Sequence, residues 1–310
     1  METYQYKPGD YVVRKSYNKD ILFRIVTINS QNIAKLKGVS YRILADSHVA
    51  DLEIAGGMRF TSNESSTMKI ISSNVEKILI EHKKINATKL HKTGKVLHID
   101  GDTFYLNLCL KYYDVLGIQA VGENISESKQ STKVIELIEK YNPDILVLTG
   151  HDSLSKNSTS EDVLDNYTNS KHFINAVKQA RTIRPTSDSL IIYAGACQSY
   201  FEEILSAGAD FASSPNRILI HALDPAFVVE KIAYCPFYKV LPVEEAIKYT
   251  ITKDKGIGGY EILGKARVGG SIIMQESLDN KSVSVDSNQD EADITENRRN
   301  ILGNSMPNNI

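Results

Sequence analysis

The spacing of apolar positions changes near residue 95, from short alternating stretches to longer uninterrupted runs. Residues 10–27 read DYVVRKSYNKDILFRIVT, two β-rich runs separated by a Tyr-Asn-Lys-Asp turn, and this pattern predicts a hairpin. Further short β-like pieces follow, up to residue 55. We therefore predict a small SH3-like β-barrel at residues 1–80 and a polar linker at residues 81–94.

From residue 95 onward, apolar runs alternate with segments of helical periodicity. The runs predict five strands, at residues 95–102, 118–124, 144–150, 189–195 and 216–223. Strands that alternate with helices form a mostly parallel sheet with helices on both faces. We therefore predict an α/β domain at residues 95–275, a doubly wound three-layer sandwich of the caspase-like or flavodoxin-like kind. The polar tail at residues 276–310 has few apolar residues, and we expect it to be disordered.

Composition and charge narrow the functional classes. The 310-residue chain has a net charge of −2 and 42% hydrophobic residues, which indicates a soluble protein without a nucleic-acid partner. Its three cysteines form no CxxC pair and its seven histidines are scattered, so we predict no disulfide, no metal and no other cofactor. No apolar stretch approaches the roughly 18 residues of a membrane span, and no signal peptide is evident, so we expect a cytoplasmic protein.

One cysteine stands where a predicted strand gives way to a helix, in SLIIYAGACQSYFEE at residues 189–203. Cys197 follows the fourth predicted strand, and His151 follows the third. Because ligands bind at the carboxyl ends of parallel strands, we expect both side chains at one edge of the sheet if the two strands are neighbours. The following helix N-terminus would then favour the Cys197 thiolate. The alternative is a structural cysteine that packs as a small apolar residue.

The order and spacing of these two residues resemble those of caspase-like, clan CD cysteine peptidases. His151 lies 46 residues before Cys197, and Ala196-Cys197 matches the end of the second apolar block of that pattern. The first block departs from the pattern, because Gly150 precedes His151 here instead of following it. The resemblance implies an oxyanion site made by backbone amides, for which we expect those of Gly150, Asp152 and Cys197.

A more extensive resemblance covers most of the chain. The segments PGDYVVRKSYNKDILFRI, LHIDGD, DILVLTGHD, YAGACQSYFEEILSAGADFASSPNRILIHALDP and GIGGYEILGKARVG are similar to the YabG family of sporulation-specific peptidases of spore-forming Firmicutes. The resemblance implies a cysteine endopeptidase that processes spore coat, cortex-related and germination-related precursors. It also implies action in the cytoplasm of the sporulating mother cell, in association with the forming spore, and cleavage after arginine.

The corresponding mechanism assigns Cys197 as the nucleophile that forms a thioester and His151 as the general acid and base. An arginine site needs a carboxylate. The candidates at the predicted edge are Asp100, Asp102 and Asp224, with Asp100 or Asp224 preferred, although each could instead cap a turn. Asp152 is expected either to orient His151 or to cap the segment that follows it. Self-cleavage is possible in the tail, where Arg298-Arg299 would be accessible.

Two alternatives remain open from the residues alone. A thiol amidotransferase-like or DJ-1-like enzyme would pair Cys197 with His221, which lies at the end of the fifth predicted strand. A non-catalytic, flavodoxin-like binding module would use Cys197 only for packing. Cys109 and Cys235 are expected to be packing residues under any of these hypotheses.

Overall fold

The computed structural model describes residues 5–55, 62–88, 90–155 and 160–269. The described residues divide into two compact units, one within residues 1–65 and 93–266 and the other within residues 66–92 and 267–310. The tail predicted at residues 276–310 lies outside the described residues. An N-terminal antiparallel sheet and an α/β sandwich therefore belong to the same compact unit.

The N-terminal sheet has five antiparallel strands in the order β4-β3-β2-β1-β5. The strands are β1 (Tyr11–Arg14), β2 (Phe23–Ile28), β3 (Ile33–Gly38), β4 (Leu44–His48) and β5 (Leu52–Ile54). The predicted hairpin is confirmed, since β1 pairs with β2. Alternate residues such as Phe23, Ile25 and Leu36 form the core of this sheet, as expected for strands with one buried face. The β3–β4 loop, residues 39–43, leaves this sheet toward the α/β sandwich.

The second sheet has six strands in the order β13-β11-β10-β9-β7-β8. They are β7 (Val96–Asp100), β8 (Ala120–Asn124), β9 (Ile145–Thr149), β10 (Ile191–Ala194), β11 (Phe211–Ser213) and β13 (Ile257–Gly259). All neighbours are parallel except β11 and β13, which are antiparallel. Every residue of β7, β9 and β10 is buried, which explains why these strands are mostly apolar. The polar residues within them, His98, Asp100 and Thr149, are buried as well. The predicted α/β class with a mostly parallel sheet is confirmed.

Helices cover both faces of this sheet. They are α2 (Thr103–Val115), α3 (Glu127–Tyr141), α4 (Ser170–Ile183), α5 (Phe201–Ser206), α6 (Asp224–Tyr234), α7 (Val243–Ala246) and α8 (Lys253–Gly256). Leu97 and Ile99 of β7 belong to the core cluster built with α3 and α4. His98, which lies between them, contacts Tyr113 of α2 instead. Because successive strand residues point to opposite faces, α2 lies on the face opposite α3 and α4.

The prediction of a fifth strand at residues 216–223 is wrong. The strand that follows β10 along the chain and pairs with it is β11. Its three residues are too few to give an apolar run. Backbone conformation prevents a strand further along, because Ser214 and Arg217 have positive φ values of 69° and 51°. His221 therefore does not end a strand of the parallel sheet; it forms an isolated antiparallel bridge with Tyr41.

The remaining elements are short, apart from one long helix. The short strands β12 (Val240–Leu241) and β14 (Ile262–Leu263) pair with each other. Helix α1 (Ser62–Thr88) runs from the first unit into the second, where β6 (Leu90–Lys92) pairs with β15 (Arg267–Gly269). Residues 81–94, expected as a linker, thus contain the last turns of α1 and all of β6.

Candidate active site

Two neighbouring strands bring His151 and Cys197 to the same edge of the sheet. Strands β9 and β10 pair in parallel, and β9 ends two residues before His151, while β10 ends three residues before Cys197. Both residues therefore lie in loops at the carboxyl edge, where α/β folds place their ligands. The neighbouring arrangement expected for these two strands is what the structure has.

The Asp152 carboxylate ties these two loops together. It accepts hydrogen bonds from Ser199 Oγ at 2.9 Å and from Ser170 Oγ at 2.5 Å. It also accepts from the backbone N–H groups of Ser153 and Asn169, at 2.9 and 2.7 Å. Burial raises the pKa of Asp152, although these hydrogen bonds oppose the shift. Of the two roles expected for Asp152, capping the following segment is the one that its contacts match.

The His151 imidazole is held by a carboxylate from a different loop. Its Nε2 lies 2.8 Å from Oδ2 of Asp102, and its ring packs edge-on against Tyr105, with the ring centroids 5.6 Å apart. The His151 side chain is 18% exposed, so it is accessible from solvent. The backbone N–H of His151 donates to Glu127 Oε1 at 2.7 Å. These contacts fix the position of the ring at the carboxyl edge of the sheet.

Asp102 owes its position to the start of α2. It is the N-cap residue of this helix and accepts from the Phe104 N–H at 2.9 Å. Burial opposes its ionisation, but hydrogen bonds from His151 and Lys37 lower the pKa of Asp102 to about 2. From the sequence, Asp102 is a candidate only for binding arginine. An aspartate directly before the Thr103–Val115 helix was a recognisable capping position, but nothing in the sequence indicated its contact with His151.

Cys197 is buried, with 2% of its surface exposed. Its Sγ accepts a hydrogen bond from the Ile220 N–H at 3.1 Å. Burial raises the pKa of the thiol to about 11, although this hydrogen bond opposes the shift. The expectation that a helix N-terminus favours the thiolate does not hold in this conformation, because α5 begins only at Phe201 and has six residues. The backbone N–H of Cys197 has no acceptor within the described part of the chain.

Asp100, at the end of β7, is a fully buried carboxylate beside the same edge. Its Oδ2 accepts from Arg42 Nη1 at 2.5 Å and from Thr149 Oγ1 at 2.8 Å, and its Oδ1 accepts from the Asp102 N–H at 2.8 Å. Burial would raise the pKa of Asp100, but the Arg42 guanidinium outweighs it and holds the pKa well below its usual range. One of the carboxylates expected to bind arginine is thus paired with an arginine of this chain.

Three further side chains, those of Thr149, His98 and Tyr113, form a hydrogen-bonded chain that ends at Asp100. Thr149 donates to Asp100, so its oxygen accepts from His98 Nε2 at 2.7 Å. His98 Nδ1 then accepts from the Tyr113 hydroxyl at 3.0 Å. Burial lowers the pKa of His98, which keeps the ring neutral in this tautomer. The chain from Tyr113 through His98 to Thr149 therefore supplies a donor to the Asp100 carboxylate.

Asp224, the other preferred candidate for an arginine site, binds backbone instead. It is the first residue of α6, and its carboxylate accepts from the N–H groups of Ile251 and Thr252, at 2.5 and 3.2 Å, and from the Thr252 hydroxyl. Burial raises the pKa of Asp224 to about 6. Its contacts match the turn-capping role.

His221, expected as a rival base, is buried. Its Nδ1 accepts from the Leu223 N–H at 3.1 Å, and its Nε2 is buried without a hydrogen-bond partner among the described residues. Burial lowers the pKa of His221 to about 3. The other two cysteines are also buried, and burial raises the pKa of Cys109 to about 12 and also raises that of Cys235.

The described ranges offer neither a metal site nor a membrane span. Among these residues, no three His, Cys, Asp or Glu side chains cluster in a way that could hold a metal ion. No helix in the same ranges combines the length and the apolar character that crossing a membrane requires.

Comparisons with known proteins match most of the chain to one family. The family model for the YabG peptidase U57 matches residues 7–271. The curated protein named sporulation-specific protease YabG, from Bacillus subtilis (strain 168), is 42% identical over 284 residues, which are 86% of this chain and 98% of that protein. A solved structure of cystathionine gamma synthase from Xanthomonas oryzae pv. oryzae aligns with 11% identity and a TM-score of 0.26, over 75% of this chain and 45% of that chain. That last likeness is too low to support an argument. The chain therefore belongs to the YabG peptidase family, U57, and is a protease.

Proposed function

We propose that this protease is a cysteine endopeptidase that cleaves after arginine, with Cys197 as nucleophile and His151 as general acid and base. The observation that carries the proposal is the pairing of β9 with β10, which brings an imidazole held by Asp102 and a thiol to one sheet edge. Family membership supplies the reaction, peptide hydrolysis. Asp102 is then the positioning residue that orients the imidazole, a role the sequence interpretation did not assign to it.

In this mechanism His151 takes the proton of the Cys197 thiol, and the resulting thiolate attacks the carbonyl carbon of the scissile bond. The negative charge that develops on the carbonyl oxygen is stabilised by backbone N–H groups, for which we propose those of Cys197, Gly150 and Asp152. His151 protonates the amine as the C–N bond breaks, which leaves a thioester on Cys197. His151 then takes a proton from water, whose oxygen attacks the thioester. The C–S bond breaks, the Cys197 sulfur recovers the proton from His151, and the new carboxyl group is released.

We assign the specificity for arginine to Asp100. A guanidinium pairs with a carboxylate through charge-assisted hydrogen bonds, and a buried carboxylate favours arginine over neutral residues strongly. Asp100 is fully buried, ionised and already in contact with a guanidinium at the proposed reaction edge. Asp224 is less suited to this role because its oxygens are engaged by Ile251 and Thr252.

The amidotransferase-like and DJ-1-like alternatives depended on His221 as the base. A ring that burial keeps neutral, and that already accepts from the Leu223 N–H, is a poor partner for proton transfer at Cys197. Membership of a peptidase family likewise favours an enzyme over a binding module. From the relative's name we carry over the sporulation setting. On the family resemblance of the sequence alone, we propose spore coat and germination-related proteins as substrates and the mother-cell cytoplasm as location. For the fold, we propose that the sandwich is caspase-like and the N-terminal sheet SH3-like.

The proposal is tested by hydrolysis of peptides that differ only in the residue before the cut. We expect arginine peptides to be cleaved in preference to lysine and glutamine peptides, and Cys197→Ala to abolish cleavage. His151→Ala should lower kcat by about 10²-fold or more, the usual contribution of general acid–base catalysis. His221→Asn serves as the matched control and should retain activity. Activity that survives Cys197→Ala, or that requires His221 and not His151, would overturn the proposal.

A further inference from the structure

The β3–β4 loop pairs its backbone with the segment that follows β11. Ser40 O accepts from the Ala222 N–H at 2.8 Å, and the Arg42 N–H donates to Ile220 O at 3.4 Å. Between these two bonds lies the antiparallel bridge of Tyr41 with His221. Enzymes and peptide-binding domains hold an extended peptide in this way. Alternate residues of the peptide form backbone hydrogen bonds with an exposed edge.

The side chain of Arg42 occupies the site that we assign to a substrate arginine. It is 1% exposed, and its Nη1 lies 2.5 Å from Asp100 Oδ2. Its guanidinium carbon lies 5.0 Å from the centroid of the Tyr105 ring, and Nη2 lies 3.7 Å from Cys109 Sγ. A second arginine cannot reach Asp100 while Arg42 is bound there, because the side chains of Arg42 and Asp100 are both buried.

The backbone of the same residue lies against the proposed nucleophile. The N–H groups of Ile220 and Arg42 both form hydrogen bonds with the Cys197 sulfur, which stabilise its thiolate. Burial has the larger effect and leaves the pKa of this thiol raised. The Tyr105 hydroxyl lies 2.7 Å from the carbonyl oxygens of both Gly38 and Tyr41, which fixes the loop over this edge. Arg42 therefore has its side chain at the specificity site and its amide beside the sulfur.

We infer that residues 40–42 occupy the substrate-binding edge in cis, with Arg42 in the place of a substrate arginine, so that the described conformation is latent. This inference rests on the proposed function. After Arg42 the chain turns back, because the Ile43 N–H donates to Tyr41 O at 2.8 Å and Ile43 O accepts from the Gly38 N–H at 2.9 Å. The bond after Arg42 thus belongs to a closed loop whose two ends are held by β3 and β4.

An occupant tethered in this way competes strongly with substrates. A segment on a short connection has an effective concentration on the order of millimolar, so a peptide with only modest affinity does not displace it. Activity then requires the β3–β4 loop to leave the edge while the two sheets stay folded. The step that frees the enzyme is therefore loop release.

The test measures alkylation of Cys197 by iodoacetamide, followed by peptide mass mapping, in the full-length protein. We expect Arg42→Ala to speed labelling of Cys197 by about 10-fold or more, because the fraction of open molecules sets the apparent rate. Arg24→Ala, an equal truncation on β2 of the same sheet, should label at the wild-type rate. Ethylguanidine, which can fill the emptied site beside Asp100, should slow labelling of Arg42→Ala again.

A second variant leaves both charges in place, in case Arg42→Ala does not fold. A Cβ on Gly38 would lie 2.4 Å from Tyr41 O, a backbone atom that cannot move cheaply, so Gly38→Ala should displace the loop and speed labelling. Gly269→Ala, whose Cβ would meet nothing within 4 Å, is the matched control.

Wild-type labelling rates in both folded variants would overturn the latent state and leave the proposed function standing, provided that Cys197→Ala still abolishes peptide cleavage. Cys197-dependent release of a fragment ending at Arg42, detected by intact mass, would also overturn it, because the segment would then be a substrate. Peptide cleavage that does not need Cys197 would overturn the proposed function itself.

Discussion

Oδ2 of Asp102 accepts a hydrogen bond from Nε2 of His151 across 2.8 Å, and it is also 2.6 Å from Nζ of Lys37. One carboxylate at the N-terminus of α2 thus joins the loop after β9 to a lysine of the N-terminal sheet. Because that carboxylate is fixed by the helix it caps, it can hold the imidazole in one orientation.

Asp102→Asn should lower kcat and leave KM nearly unchanged. An asparagine still caps the helix, so the fold is retained, but the side chain no longer stabilises a positively charged imidazole. We expect a loss of about 10²-fold, measured with an arginine peptide. Asp114→Asn, an exposed change on the same helix, is the control. An equal change in KM, or unchanged kcat, would contradict the positioning role.

The Arg42–Asp100 pair should show strong coupling in a double-mutant cycle. Asp100→Leu or Arg42→Met alone leaves a buried charge unpaired, which should lower the free energy of unfolding by about 3–5 kcal/mol. The double variant should recover most of this loss, since neither charge remains. Urea unfolding of the four proteins measures the effect. Additive losses would mean that the two side chains do not meet in solution.

Removing the Asp152 carboxylate should weaken both stability and catalysis. Asp152→Ala leaves the buried hydroxyls of Ser170 and Ser199 without their acceptor, at a cost of about 3 kcal/mol. It also frees the β10 loop from the β9 loop, so kcat should fall. Thermal unfolding and peptide hydrolysis are the two measurements, with the exposed Asp165→Ala as control. Loss of stability with full activity would show that the tie does not position Cys197.

His221 should make the protein less stable on mild acidification. Its folded-state pKa of about 3 lies below the unfolded value, so its contribution to stability is present above pH 6.5 and is lost as the pH falls toward 3. By linkage the loss reaches about 2 kcal/mol at pH 5. Asp224 acts in the opposite direction, because its pKa is raised to about 6, so its contribution is present below its unfolded pKa and is lost as the pH rises through 6.

His221→Asn should therefore become more stable than the wild type when the pH is lowered from 7 to 5. Asparagine can still accept from the N–H two residues ahead, as His221 does from Leu223. The control is His48→Asn, an exposed histidine that accepts from the Ala50 N–H in the same way. Urea unfolding at the two pH values measures the difference. Parallel pH dependence of His221→Asn and the wild type would show that His221 is not buried as a neutral ring.

Local pattern was enough to locate most of the α/β sandwich. The runs that became β7, β9 and β10 are buried on both faces, so most of their residues are apolar. Strand β11 was missed because Phe211–Ser213 is short and contains small residues, whereas the apolar segment after it is prevented from forming a strand by positive φ at Ser214 and Arg217. Helix α1 was missed because its polar residues gave no clear apolar face.

The sequence could predict only the part of the site that depends on where the strands end. Loops after adjacent parallel strands must share an edge, which was enough to bring together His151 and Cys197. The contact of Arg42 with Asp100 joins a loop of the N-terminal sheet to a strand of the parallel sheet, 58 positions apart, and no periodicity or spacing reports such a pair. Strand ends also could not decide between the two alternatives for Cys197, an exposed thiol and a buried packing residue, because the backbone groups next to its sulfur come from Ile220 and Arg42, distant in sequence.

Two cations of the N-terminal sheet, Lys37 and Arg42, neutralise the carboxylates at the end of β7 and the start of α2. The α/β sandwich therefore cannot be transferred without the N-terminal sheet. A fragment that starts at residue 95 would contain two carboxylates without their positively charged partners. Any chimera that exchanges the first 60 or so residues must supply replacement positive charge at those two places.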